Sequence, residues 1–208
     1  MITLYSGTPG SGKSMHLARY IHDRLKYDRC VVIGNFEFNH QAVRGRKRGI
    51  YLSIDNDRLT PARLIRFALH YNSHYFPGKQ VKEGRFTLVI DESQIIFNAR
   101  EWNVKGRSRW TSFFTQHRKF GYDIILIAQF DRMLDRQIRS LIEYEEIHRK
   151  VNNYGIFGRL LGLLSGGALF VAVKMWYPMK EKVGAKFFVA RRKYYRLYDT
   201  YKMFNTTT

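Results

Sequence analysis

The chain has 208 residues, of which 45% are hydrophobic and 25% charged, a composition that excludes a disordered tail or a collagen-like fibre and indicates a folded protein. Lysine and arginine number 36 against 17 aspartate and glutamate, and the resulting net charge of +19 favours a polyanionic partner, either nucleic acid or an anionic membrane surface. The single cysteine, Cys30, lies in an apolar run, so internal disulfides are excluded and a cytoplasmic location is expected.

Short β-prone runs alternate with helical stretches over most of the chain, which is the pattern of an α/β protein. In chain order we predict strand 2–6, helix 14–27, strand 29–34, helix 61–75, strand 86–91, helix 108–120, strand 123–129, helix 131–142 and strand 143–151. The apolar runs at 88–90 and 124–128 predict central strands of a parallel sheet that is covered on both faces.

The character of the chain changes at about residue 152. Three β-prone segments, 168–177, 186–190 and 194–201, follow one another with no helical pattern between them. We therefore predict a core of residues 1–151 and a β-rich extension of residues 152–208, which packs on the core as antiparallel strands.

The strongest motif follows the first predicted strand and opens the first predicted helix. It reads Gly-Thr-Pro-Gly-Ser-Gly-Lys-Ser and matches the P-loop (Walker A) pattern G-x-x-x-x-G-K-[ST] in full. Glycines allow backbone N–H groups to surround phosphate oxygens at a helix N-terminus, where the helix dipole favours negative charge. The residues predicted to bind ATP are Gly7, Thr8, Pro9, Gly10, Ser11, Gly12, Lys13 and Ser14. Lys13 is expected to contact the β- and γ-phosphates, and Ser14 to ligate Mg²⁺.

Two carboxylates directly follow the apolar run 88–90 at the end of the strand predicted at 86–91, as a P-loop protein requires of its Walker B strand. Asp91 is predicted to hold Mg²⁺ through water, and Glu92 to orient the attacking water as the catalytic carboxylate. An acid directly after the metal-binding aspartate is common in ATP-driven motors and unusual in small-molecule kinases and GTPases. Gln129, at the tip of the next apolar strand, is predicted to sense the γ-phosphate; ordinary polarity at a strand end is the alternative.

Several cationic side chains are weaker candidates. An arginine finger supplied to a neighbouring subunit has three candidates, Arg107, Arg109 and Arg118, although a cation near a helix C-terminus also suits the helix dipole. Two cation runs are candidate contacts for nucleic acid or lipid, and the alternative is a solvated surface. They comprise Arg44, Arg46, Lys47 and Arg48 in a loop, and Arg191, Arg192 and Lys193 beside two tyrosines. His70 and His74 have the spacing of a zinc pair but lack a third ligand nearby, so we expect surface histidines.

Membrane insertion is not expected from the hydropathy of the chain. The N-terminus lacks the pattern of a signal peptide. The uncharged stretch 160–173 has 14 residues, which is shorter than the ~20 that a spanning helix needs, and a pair of glycines divides it.

The sequence resembles the zonula occludens toxin (Zot) domain family, which is shared with the gene I morphogenesis ATPases of filamentous phages. The resemblance rests on the P-loop at 7–14, on Leu-Val-Ile-Asp-Glu at 88–92, on the segment 115–123 that leads into the strand ending at Gln129, and on Leu-Tyr-Asp-Thr at 197–200. It implies a RecA-like core with an added β-element and an oligomeric ATPase, with ATP and Mg²⁺ as cofactors. It also implies a location at the cytoplasmic face of the inner membrane, where the protein powers assembly and export of single-stranded-DNA phage with coat or assembly proteins as partners.

Members of this family typically continue into a transmembrane segment and an extracytoplasmic region, to which the tight-junction activity behind the family name is attributed. The 208 residues contain no counterpart of that region, so no toxin activity is expected of them. The leading hypothesis is a phage-assembly motor. The alternative is a module of low turnover that binds nucleic acid or membrane in response to nucleotide. A metabolite kinase is disfavoured by the paired carboxylates and the charge.

Overall fold

A computed structural model describes residues 1–45, 48–100, 106–153, 160 and 168–198 of the chain. The strands are β1 Ile2–Ser6, β2 Val31–Gly34, β3 Ile50–Ser53, β4 Phe86–Ile90, β5 Tyr122–Ile127, β6 Tyr144–Lys150, β7 Leu169–Trp176 and β8 Glu181–Val189. The α-helices are α1 Lys13–Asp23, α2 Pro61–Tyr75, α3 Arg107–Gln116, α4 Arg136–Arg139 and α5 Arg192–Tyr195.

All eight strands form one sheet in the order β3-β2-β4-β5-β1-β6-β7-β8. Neighbouring strands from β3 to β6 are parallel, and β7 and β8 continue the sheet as antiparallel strands. The predicted class, a parallel α/β sheet flanked by helices with an antiparallel C-terminal extension, is confirmed. The division into 1–151 and 152–208 stays a prediction.

The central strands are buried on both faces, so their alternate side chains enter two separate cores. In β4, Leu88 and Ile90 pack with α2 and α3 on one face, whereas Val89 packs with α1 on the other face. The side-chain period of two in a strand explains this division, because consecutive residues point to opposite faces of the sheet. The cores fix the strand ends, and the polar residues of the site follow these ends.

Three predicted elements differ from the structure, and one observed strand was not predicted. The first helix is α-helical only to Asp23 and continues as a π-helical turn, Arg24–Asp28. The helix predicted at 131–142 is broken, because Asp135 has an extended ψ of 140° and its side chain caps α4 by accepting from the N–H groups of Gln137 and Ile138. Strand β3 was not predicted. The segment predicted as a strand at 194–201 instead begins with the helical turn α5.

Some predictions concern residues outside the described parts. These are Arg46, Lys47, residues 161–167 of the apolar stretch 160–173, and Asp199 and Thr200 of the closing motif. Among the described residues, no helix combines the length and apolar character needed to cross a membrane.

Candidate nucleotide-binding site

The P-loop connects β1 to α1 and leaves no room for side chains at two of its glycines. Gly12 has a φ of 95°, and a Cβ there would lie 2.7 Å from the ring of Phe170 on β7. A Cβ on Gly7, whose φ is 140°, would lie 2.5 Å from the carbonyl oxygen of His148 on β6. Glycine is required at both positions by conformation and by space. The C-terminal extension therefore contributes to the wall of the loop through Phe170.

Lys13 is the first residue of α1 and lies over the loop that precedes it. Its ammonium group donates to the carbonyl oxygen of Gly7 and, at 3.2 Å, to that of Thr8. Burial lowers the pKa of Lys13, and the charges of Glu92 and Asp91 partly offset this effect. The ammonium group is therefore held beside the loop backbone and near the two carboxylates, where a phosphate would neutralise it.

The loop has the features that a phosphate-binding cradle needs. The first turn of α1 contains no acidic residue, so its N-terminal dipole is available to an anion. The Ser11 side chain is buried, and its hydroxyl has no hydrogen-bond partner in the described structure. A Cβ added to Gly10, whose φ is 75°, would have no atom within 4 Å, so the space beside this residue is open. These observations fit a bound triphosphate, and Ser14, the second residue of α1, is placed to ligate its metal.

The two carboxylates lie at the same edge of the sheet as the P-loop, because β4 and β1 run parallel. Asp91 and Glu92 directly follow β4. Burial raises the pKa of Asp91, and hydrogen bonds from the Tyr198 hydroxyl and the Glu92 N–H oppose this rise. Glu92 adopts a left-handed φ of 46°, which is uncommon for a residue other than glycine and is concentrated at functional sites. Gln94 donates to the Glu92 carboxylate.

Two residues that position Asp91 were not predicted from the sequence. The Asn35 side chain, which follows β2, accepts from the Asp91 N–H at 2.6 Å and donates to the Asp91 carbonyl at 2.9 Å. The Tyr198 hydroxyl donates to Asp91 Oδ2. A sequence signal for Asn35 was available, because it is a polar residue at the end of a buried strand. The only sequence signal for Tyr198 was its place in the motif Leu-Tyr-Asp-Thr at 197–200.

Gln129 lies where the sequence pattern predicts a sensor. The strand β5 lies between β1 and β4 in the sheet, and the Gln129 carbonyl, two residues beyond β5, accepts from the Gly7 N–H at 3.0 Å. This contact places the backbone of Gln129 beside the start of the P-loop. The sensor role of its side chain stays a prediction.

The three candidate arginines have different environments. Arg107 is buried, donates to the Ile96 carbonyl at 3.0 Å and lies 3.9 Å from Asp135, so it is engaged within its own chain. Arg118 pairs with Glu143 at 2.5 Å, at the edge of the sheet opposite the P-loop. Arg109 is exposed in the first turn of α3, and α3 begins near the sheet edge that carries the P-loop because it leads from the end of β4 back to the start of β5.

Residues next to the two cation runs pack in the same apolar cluster. Val43 in the first run's loop and Tyr194 in α5 both belong to the core that packs on α1, and the Asn39 N–H donates to the Leu197 carbonyl at 2.8 Å. Arg48 donates to the carbonyl oxygens of residues 40, 41 and 43, which stabilises its own loop. The side chains of Arg44, Arg191, Arg192 and Lys193 are exposed. Their contact with nucleic acid or lipid stays a prediction.

Comparison with protein families gives a match over most of the chain. The family model described as Zonular occludens toxin (Zot) matches residues 1–165. The chain belongs to this family. The resemblance inferred from the P-loop, the Walker B strand and the segment before Gln129 is therefore confirmed.

Relatives of this Zot-family chain include phage proteins. The Gene 1 protein of Enterobacteria phage I2-2 is 32% identical over 128 residues, which are 57% of this chain and 35% of the relative. The chain thus matches little more than a third of the relative's length. The N-terminal domain of zonular occludens toxin from Neisseria meningitidis has a TM-score of 0.53 at 18% identity, covering 95% of this chain and 98% of that domain.

A genome-packaging protein has a similar fold. The NTPase B204 from Sulfolobus turreted icosahedral virus 2, solved in complex with AMPPCP, has a TM-score of 0.51 at 14% identity, covering 89% of this chain and 95% of that one. At this identity the similarity concerns the fold alone, which is that of a P-loop NTPase.

Proposed function

We propose that this chain is an ATP-hydrolysing motor of filamentous-phage assembly and export. The observation that carries the proposal is the placement of the P-loop, Asp91, Glu92 and the Gln129 backbone at one edge of the sheet. Lys13 and Ser14 would bind the triphosphate and its Mg²⁺, and Asp91 would hold a water ligand of the metal. Glu92 would orient the attacking water. Membership of the Zot family and the Gene 1 relatives support the phage context.

The motor would act as an oligomer at the cytoplasmic face of the inner membrane. In this proposal Arg109 is the arginine finger, because of the three candidates it alone is both exposed and near the sheet edge that carries the P-loop. A finger supplied by a neighbour accelerates phosphoryl transfer by about 10³–10⁵-fold. Single-stranded DNA or coat and assembly proteins would be the translocated partners.

Complementation between variants tests this mechanism. Arg109→Ala and Glu92→Gln should each be nearly inactive in ATP hydrolysis and should retain ATP binding. Mixing them should restore activity, because mixed oligomers contain sites with an intact Glu92 and a neighbouring Arg109. Arg118→Ala and the exposed-acid variant Glu83→Gln are the matched controls and should hydrolyse ATP at the wild-type rate. Turnover by Glu92→Gln within a few-fold of wild type would exclude Glu92 as the catalytic carboxylate.

A second candidate function is a module of low turnover that binds nucleic acid or membrane in response to nucleotide. The observation that favours it is the net charge of +19 together with the exposed side chains of Arg191, Arg192 and Lys193, which suit a polyanionic partner whether or not ATP is turned over. The two functions differ in how ATPase activity per chain depends on protein concentration. A motor gains activity as it self-associates, whereas the module stays inactive at all concentrations.

A further inference from the structure

Beside the P-loop, three potential metal ligands converge from two elements of the core. His16 lies on α1, and Glu146 and His148 lie on β6. One ligand atom from each residue lies within 4.8 Å of the other two. The nucleotide site uses none of these side chains.

The distances match those between ligands of a small metal ion. His16 Nδ1 lies 2.8 Å from His148 Nε2 and 3.4 Å from Glu146 Oε2. Ligands of tetrahedral zinc at about 2.0–2.1 Å lie ~3.3 Å from one another. A small rotation of the imidazole rings would open the shorter distance to this value.

The buried carboxylate of Glu146 has one oxygen that accepts no hydrogen bond in the described structure. Glu146 is 8% exposed, and its Oε2 has no hydrogen-bond partner in the described structure. Burial raises the pKa of Glu146, and the charges of Lys186 and Lys174 oppose the rise. A buried polar atom without a partner destabilises the fold, and a cation at this point would satisfy it.

A backbone carbonyl fixes the orientation of the His148 ring. His148 is 1% exposed, and its Nδ1 lies 3.2 Å from the carbonyl oxygen of Ser6. Because a carbonyl only accepts, this contact assigns the proton to Nδ1 and directs the lone pair of Nε2 toward His16. Backbone carbonyls commonly orient metal-ligating histidines in this way. Burial also lowers the pKa of His16 to about 3 and that of His148 to about 4, so both rings are neutral at physiological pH.

We infer that His16, Glu146 and His148 form a binding site for a divalent transition metal, with Zn²⁺ as the ion best suited to two imidazoles and one carboxylate. Three protein ligands leave one position for water. The site differs from the Mg²⁺ position at Ser14 and Asp91, which offers only oxygen ligands. The ion would join α1, which follows the P-loop, to β6. Through the contact between His148 and the Ser6 carbonyl, β6 is also linked to the end of β1, just before the loop.

Metal binding to the full chain, without nucleotide or Mg²⁺, tests the inference. After treatment with a chelator, the wild type should bind one Zn²⁺ per chain by calorimetry, and Co²⁺ should give the intense visible absorption of four-coordinate cobalt. Zn²⁺ should also raise the melting temperature, because it binds only the folded state. Glu146→Gln and His148→Gln should each weaken Zn²⁺ affinity by at least the 10–100-fold that is lost when a residue hydrogen-bonded to a metal ligand is replaced.

Two further variants make the test specific. The double variant His70→Gln/His74→Gln removes the other histidine pair, on α2, and should retain full binding. Lys186→Met should tighten binding, because the Lys186 charge acts on both His16 and Glu146. If the wild type binds no Zn²⁺, or if binding is lost in the α2 double variant and kept in folded Glu146→Gln, the three residues are a hydrogen-bonded cluster and the inference is wrong.

Discussion

The Tyr198 hydroxyl donates a hydrogen bond to Asp91 Oδ2, so the last described residue of the chain contacts the acid at the end of β4. The Tyr198 ring packs edge-on against Phe36, with 4.7 Å between ring centroids. Its backbone forms a β-bridge with Phe38. Tyr198 is therefore part of the candidate nucleotide site.

Tyr198→Phe keeps the ring packing and removes the hydrogen bond. We expect a loss of about 1.5–3 kcal/mol in the free energy of unfolding, which is typical of a hydrogen bond to a charged group. The pKa of Asp91 should rise further, because the bond opposes the effect of burial, and more Mg²⁺ should be needed for half-maximal ATPase activity. Denaturant unfolding and Mg²⁺ titration measure the two effects. Tyr195→Phe, at an exposed tyrosine of α5, is the control; equal behaviour of the two variants would contradict the positioning role.

Lys13→Ala should abolish ATP binding, because the β- and γ-phosphates lose the lysine that the P-loop provides. Folding should be nearly unaffected, since burial disfavours the charged ammonium group. Binding of a fluorescent ATP analogue and thermal melting measure the two properties. Arg19→Ala removes an exposed cation from the same helix and should bind ATP normally. Wild-type affinity in Lys13→Ala would exclude this loop as the phosphate site.

Replacement of Arg191, Arg192 and Lys193 by alanine should weaken binding to single-stranded DNA. Each phosphate contact contributes roughly −0.7 to the slope of log affinity against log salt, so the triple variant should flatten the slope by about 1–2 units. Binding should show little sequence preference, because phosphate contacts do not read bases. Fluorescence anisotropy over a salt series measures both properties.

The control for this surface removes the same charge from α2 and the loop that follows it, at Arg66, Lys79 and Lys82, which are exposed. This control should keep the wild-type salt slope. Anionic vesicles provide the opposing test. If the 191–193 variant loses vesicle binding while DNA binding is unchanged, the surface contacts lipid and not DNA.

His117 should make the stability of the chain depend on pH. Burial lowers its pKa, and its ring lies 2.8 Å from the amino group of Met1. The ordinary pKa of about 6.5 applies to the unfolded chain. The unfolded state therefore binds the proton first, and the stability present above about pH 6.5 is lost as the pH falls through the lowered folded pKa.

His117→Gln should reduce this loss, since glutamine does not titrate and can retain a donor and an acceptor. The free energy of unfolding, measured from about pH 7 down to about pH 5, should fall less steeply in the variant. His70→Gln, at an exposed histidine, should leave the wild-type slope unchanged. A slope in His117→Gln equal to that of wild type would show that His117 takes up no proton on unfolding.

Local patterns in the sequence are enough to predict the P-loop motif, the pair Asp91 and Glu92, and the succession of the central strands and helices along the chain. These features depend on local patterns: a glycine spacing, an apolar run with an acid at its end, and helical periodicity. The helix predicted at 61–75 has the observed limits of α2, and in the structure Thr60 caps it and Pro61 begins it.

Contacts between residues that are distant in the sequence become visible in the tertiary structure. Asn35 and Tyr198 reach Asp91, Phe170 excludes a side chain at Gly12, and His16 meets two residues of β6. Strand β3 and the helical turn α5 also escaped prediction, because each is four residues long and is stabilised by its neighbours in the fold. Some of these contacts join residues more than a hundred positions apart. Strand order and packing bring such residues together, and no local sequence pattern marks them.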